Sequence, residues 1–329
     1  MANSTVRKRK KVVATLDTDL LVRDIVEEFI TEKKADGRSY KTIESYRGSF
    51  SKFLNYFGND LTIGEVTRQT IYQYKGHLVS VEELSTASIN HYLRDLRTFI
   101  HWCEERTYLQ ENIKIDMVKG QEEIIDVFTE EELQKLLTRP HQGDSFVTWR
   151  DWAIVNWILG TGNRVSTITN VRIGDIHFGR KEIVIREQKN KKASIIPLSA
   201  KLSSVLKTYI KKCLSEMGDE DFLFCNQYGE QLTPKALQQS IRRYNLRRGV
   251  ERTSPHALRH TFAKNWVVNG GDVFRLQKIL GHSTLEMTRH YVNLFSIDLK
   301  KDYEDFSPLD TLTRGKGGSR KAKMKVDNG

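Results

Sequence analysis

A single stretch of this chain carries a strong β-strand signal, and the sequence on both sides of it has helical spacing. Two segments rich in Ile and Val, 182–186 and 194–198, flank the polar run 188–192, which is the pattern of a β-hairpin and its tip. Elsewhere the apolar residues recur at steps of three and four, as on one face of an α-helix. The sequence therefore predicts a mainly α fold with one small β-hairpin or sheet.

The segment 17–108 contains four such helical stripes. Ser39, Thr67 and Ser85 precede three of them and are suitable N-terminal caps. The second stripe is rich in aromatic residues and comprises Tyr40, Ile43, Tyr46, Phe50, Phe53 and Phe57. We expect this stripe to form a core rather than a platform on which bases stack. Four short helices joined by turns predict one small bundle.

Composition and turn signals divide the chain further. Both ends are basic and cannot bury a core, and a charged stretch separates two regions of helical pattern. Thr129 and Glu132 form a capping box that predicts a helix at 130–137. The expected order is a basic tail at 1–16, a helical domain at 17–108, a linker at 109–126, a second domain at 127–310 and a basic tail at 311–329.

The overall charge points to a polyanionic partner. Lys and Arg outnumber Asp and Glu by 53 to 42, which gives a net charge of +11 and an isoelectric point near 9.4. A folded chain this basic commonly binds nucleic acid. A basic protein that is merely soluble would explain the charge equally well, so the evidence for a nucleic-acid partner depends on the motifs.

The cysteines and the apolar runs indicate where the protein works. Cys103, Cys213 and Cys225 lie far apart and form no C-x-x-C pair, which favours free thiols in a reducing compartment over a zinc site. No apolar run approaches the ~20 residues needed to cross a bilayer, and no apolar stretch follows the basic cluster at 7–11, as a signal peptide requires. We expect a cytoplasmic protein acting at DNA, without metal or cofactor.

A histidine and an arginine occupy the predicted start of one helix. Ser254 and Pro255 suit the cap and the first helical position, which places His256 in the first turn and Arg259 on the same face. A helix N-terminus favours a phosphate and lowers the pKa of a histidine there, which keeps the imidazole neutral. By itself this H-x-x-R pattern is explained as well by a buried histidine and a surface arginine.

Four other features could carry chemistry, although each also has an ordinary structural explanation. Arg164 follows the turn Thr161-Gly162-Asn163 at a predicted helix start, and Lys189 lies at the predicted hairpin tip. His282 follows Gly281 and precedes a second capping box at 283–286. Tyr291, one of 12 tyrosines, comes nine residues after His282.

Taken in order, these motifs resemble the catalytic domain of the tyrosine recombinase (phage integrase) family over residues 125–310. The motifs that carry the resemblance are Thr161-Gly-Asn-Arg164, Lys189 ahead of Ile196-Pro197-Leu198, His256-Ala-Leu-Arg259-His260, Leu280-Gly-His282 and Tyr291. Asn163 departs slightly, because an apolar residue often stands there in the family. Lys191 is an alternative to Lys189, and Arg180 and Lys181 are weaker ones. Residues 17–108 resemble the family's core-binding domain by pattern only.

The resemblance implies an N-terminal four-helix core-binding domain and a C-terminal catalytic domain that cut and rejoin duplex DNA. Tyr291 would attack the scissile phosphorus and form a 3′-phosphotyrosyl bond, so that no ATP or metal is needed. His256 would take the phenolic proton, and Lys189 would protonate the leaving 5′-oxygen. Arg164, Arg259 and His282 would donate hydrogen bonds to the phosphate.

The family also implies partners. Four protomers would act on two double-stranded DNA recombination sites, with accessory DNA-bending proteins as further candidates. The apolar segment 294–309 would dock on a neighbouring protomer, or else pack on its own domain. Two other functions fit parts of the pattern: a type IB topoisomerase, which relaxes supercoils without a strand partner, and a DNA-binding protein that does not cut. The helical first domain argues against the former, and Tyr291 argues against the latter.

Overall fold

The computed structural model describes residues 18–81, 83–109, 111–120, 126–186, 193–282, 284, 285, 288 and 291. The chain divides into two compact units, Met1–Glu123 and Ile124–Gly329. Both predicted tails, the hairpin tip with Lys189, and the segment 294–309 lie outside the described residues. No helix in the described part of the chain is both long and apolar enough to span a membrane.

Four α-helices build the first unit: α1 (Val22–Ala35), α2 (Tyr40–Phe57), α3 (Arg68–Ser80) and α4 (Thr86–Glu105). The three predicted caps are confirmed, because the side chains of Ser39, Thr67 and Ser85 each accept a hydrogen bond from the backbone N–H three residues on. Each cap satisfies a donor that the first helical turn leaves without a partner.

The core of this unit is aromatic, as the second stripe predicts. Phe29 of α1 is fully buried and meets the rings of Phe50, Phe99 and Trp102 edge-on, with centroids 5.4–5.6 Å apart. Tyr40, the first residue of α2, is instead 79% exposed. Edge-on packing places the positive rim of one ring against the negative face of another, which stabilises the core beyond simple burial.

Part of the stretch expected to link the domains packs on this first unit. Ile113 and Ile115 are buried in the same core as the four helices. The side chain of Asn90 donates to the carbonyl of Val118 and accepts from its N–H, at 2.9 and 2.8 Å. The alternating apolar residues at 113 and 115 account for this attachment.

The second unit combines helices with a small sheet, which confirms the predicted fold class. The helices are α5 (Glu130–Leu137), α6 (Phe146–Thr161), α7 (Val165–Ile168), α8 (Ala200–Cys213), α9 (Pro234–Arg247), α10 (Pro255–Val268) and α11 (Val273–Leu280). The strands are β1 (Ile176–His177), β2 (Glu182–Ile185) and β3 (Ser194–Pro197), antiparallel in that order. β2 and β3 are the predicted hairpin, paired with Ile183 opposite Ile196, and β1 was not predicted.

Helix α6 is the centre of this unit, in contact with α5, α8, α9 and α10. Buried side chains, most of them apolar, lie on every face of this helix, so it is stable only when surrounded by protein. Its one buried ion pair, between Arg150 and Asp151, is satisfied by Ser240 of α9, whose hydroxyl lies 2.6 Å from the guanidinium and 2.7 Å from the carboxylate. Helix α6 therefore fixes the position of the turn that follows it.

Candidate active site

The candidate site forms where the ends of α6 and α11 meet α10. Gly162 caps the C-terminal end of α6, and its backbone is left-handed with φ of 63°. A Cβ atom there would lie 2.5 Å from the ring of Phe262 and 2.6 Å from the side chain of Leu280. Glycine is therefore required both by the backbone angle and by the close approach. This approach brings Arg164, two residues later, to the end of α11.

Backbone carbonyls at helix ends hold the two arginines. Nη1 of Arg164 donates to the carbonyls of Leu280 and Gly281, both at 3.2 Å. Arg259, which is 5% exposed, donates to the carbonyl of Leu280 at 3.0 Å and to that of Gly162 at 2.5 Å. The last carbonyls of a helix lack intrahelical partners and carry partial negative charge. The ends of α6 and α11 therefore orient both guanidinium groups.

Among the residues that the structure describes, no carboxylate pairs with the positive charge of these arginines. Within the described part of the chain, neither Arg164 nor Arg259 forms an ion pair with Asp or Glu; the ion pairs found there involve other residues. Burial lowers the pKa of both groups, and the neighbouring charge of Arg164 helps to bring that of Arg259 to about 10. Both stay protonated at neutral pH, so the site presents two positive charges suited to an anion such as a phosphate.

His282 is held in one tautomer. Its Nε2 lies 2.8 Å from Nη2 of Arg259, and because a guanidinium can only donate, Nε2 must accept. The ring proton is then on Nδ1, which donates to the hydroxyl of Thr288 at 2.8 Å. Burial, followed by the charges of Arg259 and Arg164, lowers the pKa of His282 to about 4. Before His282 could donate from Nε2 to a phosphate, as the resemblance implies, Arg259 would have to turn away and the ring proton would have to move from Nδ1 to Nε2.

Tyr291 is buried beside these groups, with 4% of its surface exposed. Its hydroxyl lies 2.8 Å from Nδ1 of His260, and its ring is nearly parallel to that of His282, at 7° with centroids 6.4 Å apart. Burial raises the pKa of Tyr291, while the charges of Arg259 and Arg164 oppose that effect. The phenol is protonated at neutral pH, so it needs a base before it can act as a nucleophile.

His256 lies at the start of α10, as predicted. Pro255 is the first helical residue, and Ser254 occupies the cap position, although its side chain makes no capping hydrogen bond. His256 as a whole residue is exposed, although the surrounding protein partly desolvates its ring. Its pKa is lowered in the predicted direction, by partial burial of the ring and by the charges of Arg259 and Arg164. The imidazole within hydrogen-bond distance of the Tyr291 hydroxyl is that of His260, one helical turn further on.

The described residues thus bring together five of the six predicted site residues, and Lys189 lies outside them. The five are Arg164, His256, Arg259, His282 and Tyr291. His260 was quoted in the motif but given no role; its signal was the spacing of four residues from His256, which puts both rings on one helix face. Thr288 had no such signal. Among the described residues, no group of three or more His, Cys, Asp or Glu side chains is arranged to hold a metal ion.

Comparisons with known proteins identify the family. The model of the phage integrase family matches residues 126–296, and that of the phage integrase SAM-like domain matches residues 21–117. The tyrosine recombinase XerD of Staphylococcus haemolyticus is 29% identical over 293 residues, covering 86% of this chain and 98% of its own. A tyrosine recombinase of Pseudothermotoga lettingae is 30% identical over 276 residues, covering 82% of this chain and 91% of its own.

Solved structures share the fold. The integrase of transposon Tn1549, in complex with transposon right end DNA, matches 83% of this chain and 95% of its own with a TM-score of 0.68 at 19% identity. A lambda integrase dimer bound to a core site matches with a TM-score of 0.67 at 17% identity, and the match covers 84% of this chain and 97% of the lambda integrase chain. The chain therefore belongs to the phage integrase family and is a tyrosine recombinase, an enzyme of site-specific DNA recombination.

Proposed function

We propose that this recombinase cuts and rejoins DNA through a covalent bond between Tyr291 and the 3′-phosphate of the cut strand. The observation that carries the proposal is a buried tyrosine beside two guanidinium groups that have no carboxylate partner in the described part of the chain. Attack by the phenolic oxygen on phosphorus would release a 5′-hydroxyl and conserve the energy of the diester bond in the phosphotyrosyl bond. The same bond would be reopened by a 5′-hydroxyl, so rejoining needs no ATP.

The proposed role of the arginines is to bind the non-bridging oxygens of the scissile phosphate. Charge builds up on these oxygens during transfer, and preorganised donors stabilise it most when water is excluded. Each guanidinium has five N–H donors, and in the described contacts Arg164 uses only Nη1. Its remaining donors support phosphate binding without loss of the bonds that orient it. His282 would join them once Arg259 turns its Nη2 toward the phosphate and the ring proton of His282 moves from Nδ1 to Nε2.

Two proton transfers complete the proposed reaction. The Tyr291 proton goes to a histidine of α10, for which His256 is the candidate from the sequence. Lys189 is the proposed acid for the leaving 5′-oxygen, with Lys191 as its alternative. Because the two arginines supply the electrostatic stabilisation that metal ions provide in many nucleases, we expect no requirement for a divalent metal.

The proposed substrate is double-stranded DNA carrying recombination sites, with four protomers acting on two sites in the cytoplasm. The net charge of +11 supports a DNA partner. So do the DNA complexes of the Tn1549 and lambda integrases, which share this fold. The segment 294–309 is proposed to dock on a neighbouring protomer. Integration, excision or resolution of a mobile element or replicon, with accessory DNA-bending proteins, is the proposed biological role.

A nicked suicide substrate tests this function. A nick next to the cleavage site lets a short fragment diffuse away, so the covalent intermediate accumulates and survives denaturation. With DNA from the flanks of the gene, we expect a denaturation-resistant adduct with the unaltered protein, also in EDTA, and none with Tyr291→Phe. The variant should still bind the DNA, because the phenolic oxygen is not needed for binding. An adduct with Tyr291→Phe, or a strict need for divalent metal, would contradict the proposal.

A further inference from the structure

A basic cavity lies at the opposite end of α6 from the candidate active site. It has a volume of about 650 Å³ and is lined by the turn after α5, the first part of α6 and the end of α8. Its cations are Arg139, Lys211 and Lys212. Trp149, which lines this cavity, and Gly162 at the active site lie at opposite ends of α6. At 1.5 Å per helical residue they are roughly 20 Å apart.

Among the residues that the structure describes, no carboxylate balances the positive charge of this cavity. Neither Asp nor Glu lines it, and the ion pairs of the described residues do not include Arg139, Lys211 or Lys212. Asp144, the acidic residue of the same loop, accepts a hydrogen bond from the backbone N–H of His141 at 2.7 Å. The C-terminal end of α8 carries only about half a negative elementary charge. Three cations therefore leave a surplus of positive charge.

The wall of the cavity also contains a hydrogen-bond donor without an acceptor. Trp149 is 3% exposed, and its Nε1–H has no partner among the described residues. The neighbouring Trp152 instead donates to the carbonyl of Leu137 at 3.0 Å. The guanidinium of Arg139 lies over the Trp149 ring, 5.6 Å from its centroid. A buried donor without a partner is unfavourable, so an acceptor oxygen that enters beside Arg139 would satisfy it.

We propose that this cavity is a second phosphate-binding site, separate from the active site. A guanidinium, two ammonium groups and an indole N–H together suit an anion with several acceptor oxygens and more than one charge. A single carboxylate would leave most of these donors without a partner. The volume is within the range of sites that bind small ligands. The phosphates come from a DNA backbone or from a free polyphosphate such as ATP.

The position of the cavity sets what it can contribute. A phosphate held there lies at the other end of α6 from Arg164 and Tyr291, so it is not the phosphate that is cleaved. With DNA as the source, one protomer therefore contacts two separate stretches of backbone. The proposal does not depend on the role of Tyr291, because phosphate binding in the cavity can be measured without cleavage.

The test uses the full-length protein labelled with ¹⁵N at its five tryptophans, because each indole N–H gives its own NMR resonance. The variant Trp149→Phe identifies the resonance of Trp149. Inorganic pyrophosphate is the probe, titrated at low salt. We expect the Trp149 resonance to move downfield and to saturate, since its N–H gains an acceptor. The double variant Lys211→Gln/Lys212→Gln should weaken this binding by at least about tenfold, as expected for the loss of hydrogen bonds between charged groups.

Lys201→Gln/Lys207→Gln is the matched control. It removes the same charge from the same helix, and neither lysine lines the cavity. Because exposed charges at a distance are largely screened, this control should bind pyrophosphate within about threefold of the unaltered protein. A Trp149 resonance that pyrophosphate does not move, or an equal loss in both double variants, would overturn the proposal. Should Lys211→Gln/Lys212→Gln fail to fold, Arg139→Gln replaces it with the same criteria.

Two further titrations identify the source of the phosphate. If it is DNA, the salt dependence of binding to a short duplex should become less steep in Lys211→Gln/Lys212→Gln, by about one unit of slope for each lysine. If it is a free polyphosphate, ATP should move the Trp149 resonance and that slope should stay unchanged. A shift with polyglutamate but not with pyrophosphate would instead show a site for carboxylates and contradict the proposal. Adduct formation at saturating suicide substrate should be equal in both double variants, which separates this test from that of the proposed function.

Discussion

Arg259 and His282 share a hydrogen bond whose direction follows from the chemistry of the two side chains. The guanidinium can only donate, so His282 is neutral and accepts at Nε2. Two positive charges near this imidazole make a further proton unfavourable. At the scale of single residues, the site is therefore ready for a negatively charged ligand and disfavours any additional cation.

The lowered pKa of His282 predicts how stability depends on pH. Its pKa is about 4 in the folded protein, against an ordinary value of 6.5. Between these values the unfolded chain binds a proton that the folded chain does not, so the free energy of unfolding falls as the pH falls from 6.5 to 4. Above 6.5 the contribution is fully present. His256, whose pKa is also lowered, acts in the same direction.

Urea unfolding at several pH values measures this effect. One such histidine changes the free energy of unfolding by at most about 1.4 kcal/mol per pH unit. His282→Gln retains an acceptor for Arg259 but no titratable group, so its stability should fall less steeply with acid. Equal slopes for the variant and the unaltered protein would show that His282 is not the responsible group.

Sequence identifies the residue types of this site more readily than their pairings. The spacing from His282 to Tyr291 and the H-x-x-R pattern pointed to residues that do lie together. From the sequence, His256 received a role and His260 none, because the contact of His260 with the Tyr291 hydroxyl depends on where Tyr291 approaches α10. Thr288 was missed for the same reason, since its partner is chosen by the fold around His282.

At the scale of secondary-structure elements, helix ends do most of the positioning. The caps at Ser39, Thr67, Ser85 and Thr129 were predictable because a side-chain oxygen bonding a nearby N–H is a local interaction. The two-residue strand β1 was not predictable, because it exists only through pairing with β2. The contact of α6 with α11 through Gly162 is likewise a product of the tertiary structure.

Gly162→Ala should therefore weaken both the fold and the site. An L-residue pays roughly 1–2 kcal/mol for the left-handed backbone, and the new methyl group would collide with Phe262 and Leu280. We expect a total loss of about 2–4 kcal/mol in the free energy of unfolding, together with slower adduct formation, because the carbonyl of Gly162 binds Arg259.

Gly249→Ala is the matched control for this prediction. Gly249 has a similar φ of 68°, but nothing lies within 4 Å of the position of its Cβ. In chemical denaturation, Gly249→Ala should lower the free energy of unfolding only by the cost of the left-handed backbone. It should leave adduct formation unchanged. If both variants lose the same stability, the close approach at Gly162 does not contribute.

At the scale of the whole molecule, positive charge is the dominant property. A basic protein that binds DNA releases counterions from the phosphates, so the logarithm of its binding constant falls linearly with the logarithm of salt concentration. We expect a steep fall here, measured by fluorescence anisotropy on a short duplex. Replacing the five basic residues at 7–11 by alanine should weaken binding and reduce the slope. A flat salt response would rule out this mode of binding.

The most direct test of the account is to identify the residue that becomes joined to DNA. The covalent adduct from a suicide substrate can be digested with nuclease and trypsin and analysed by tandem mass spectrometry. Cleavage after Arg289 and Lys300 gives a peptide in which Tyr291 is the only tyrosine. We predict a nucleotide on the phenolic oxygen of Tyr291 in that peptide. A nucleotide on any other residue would contradict the account.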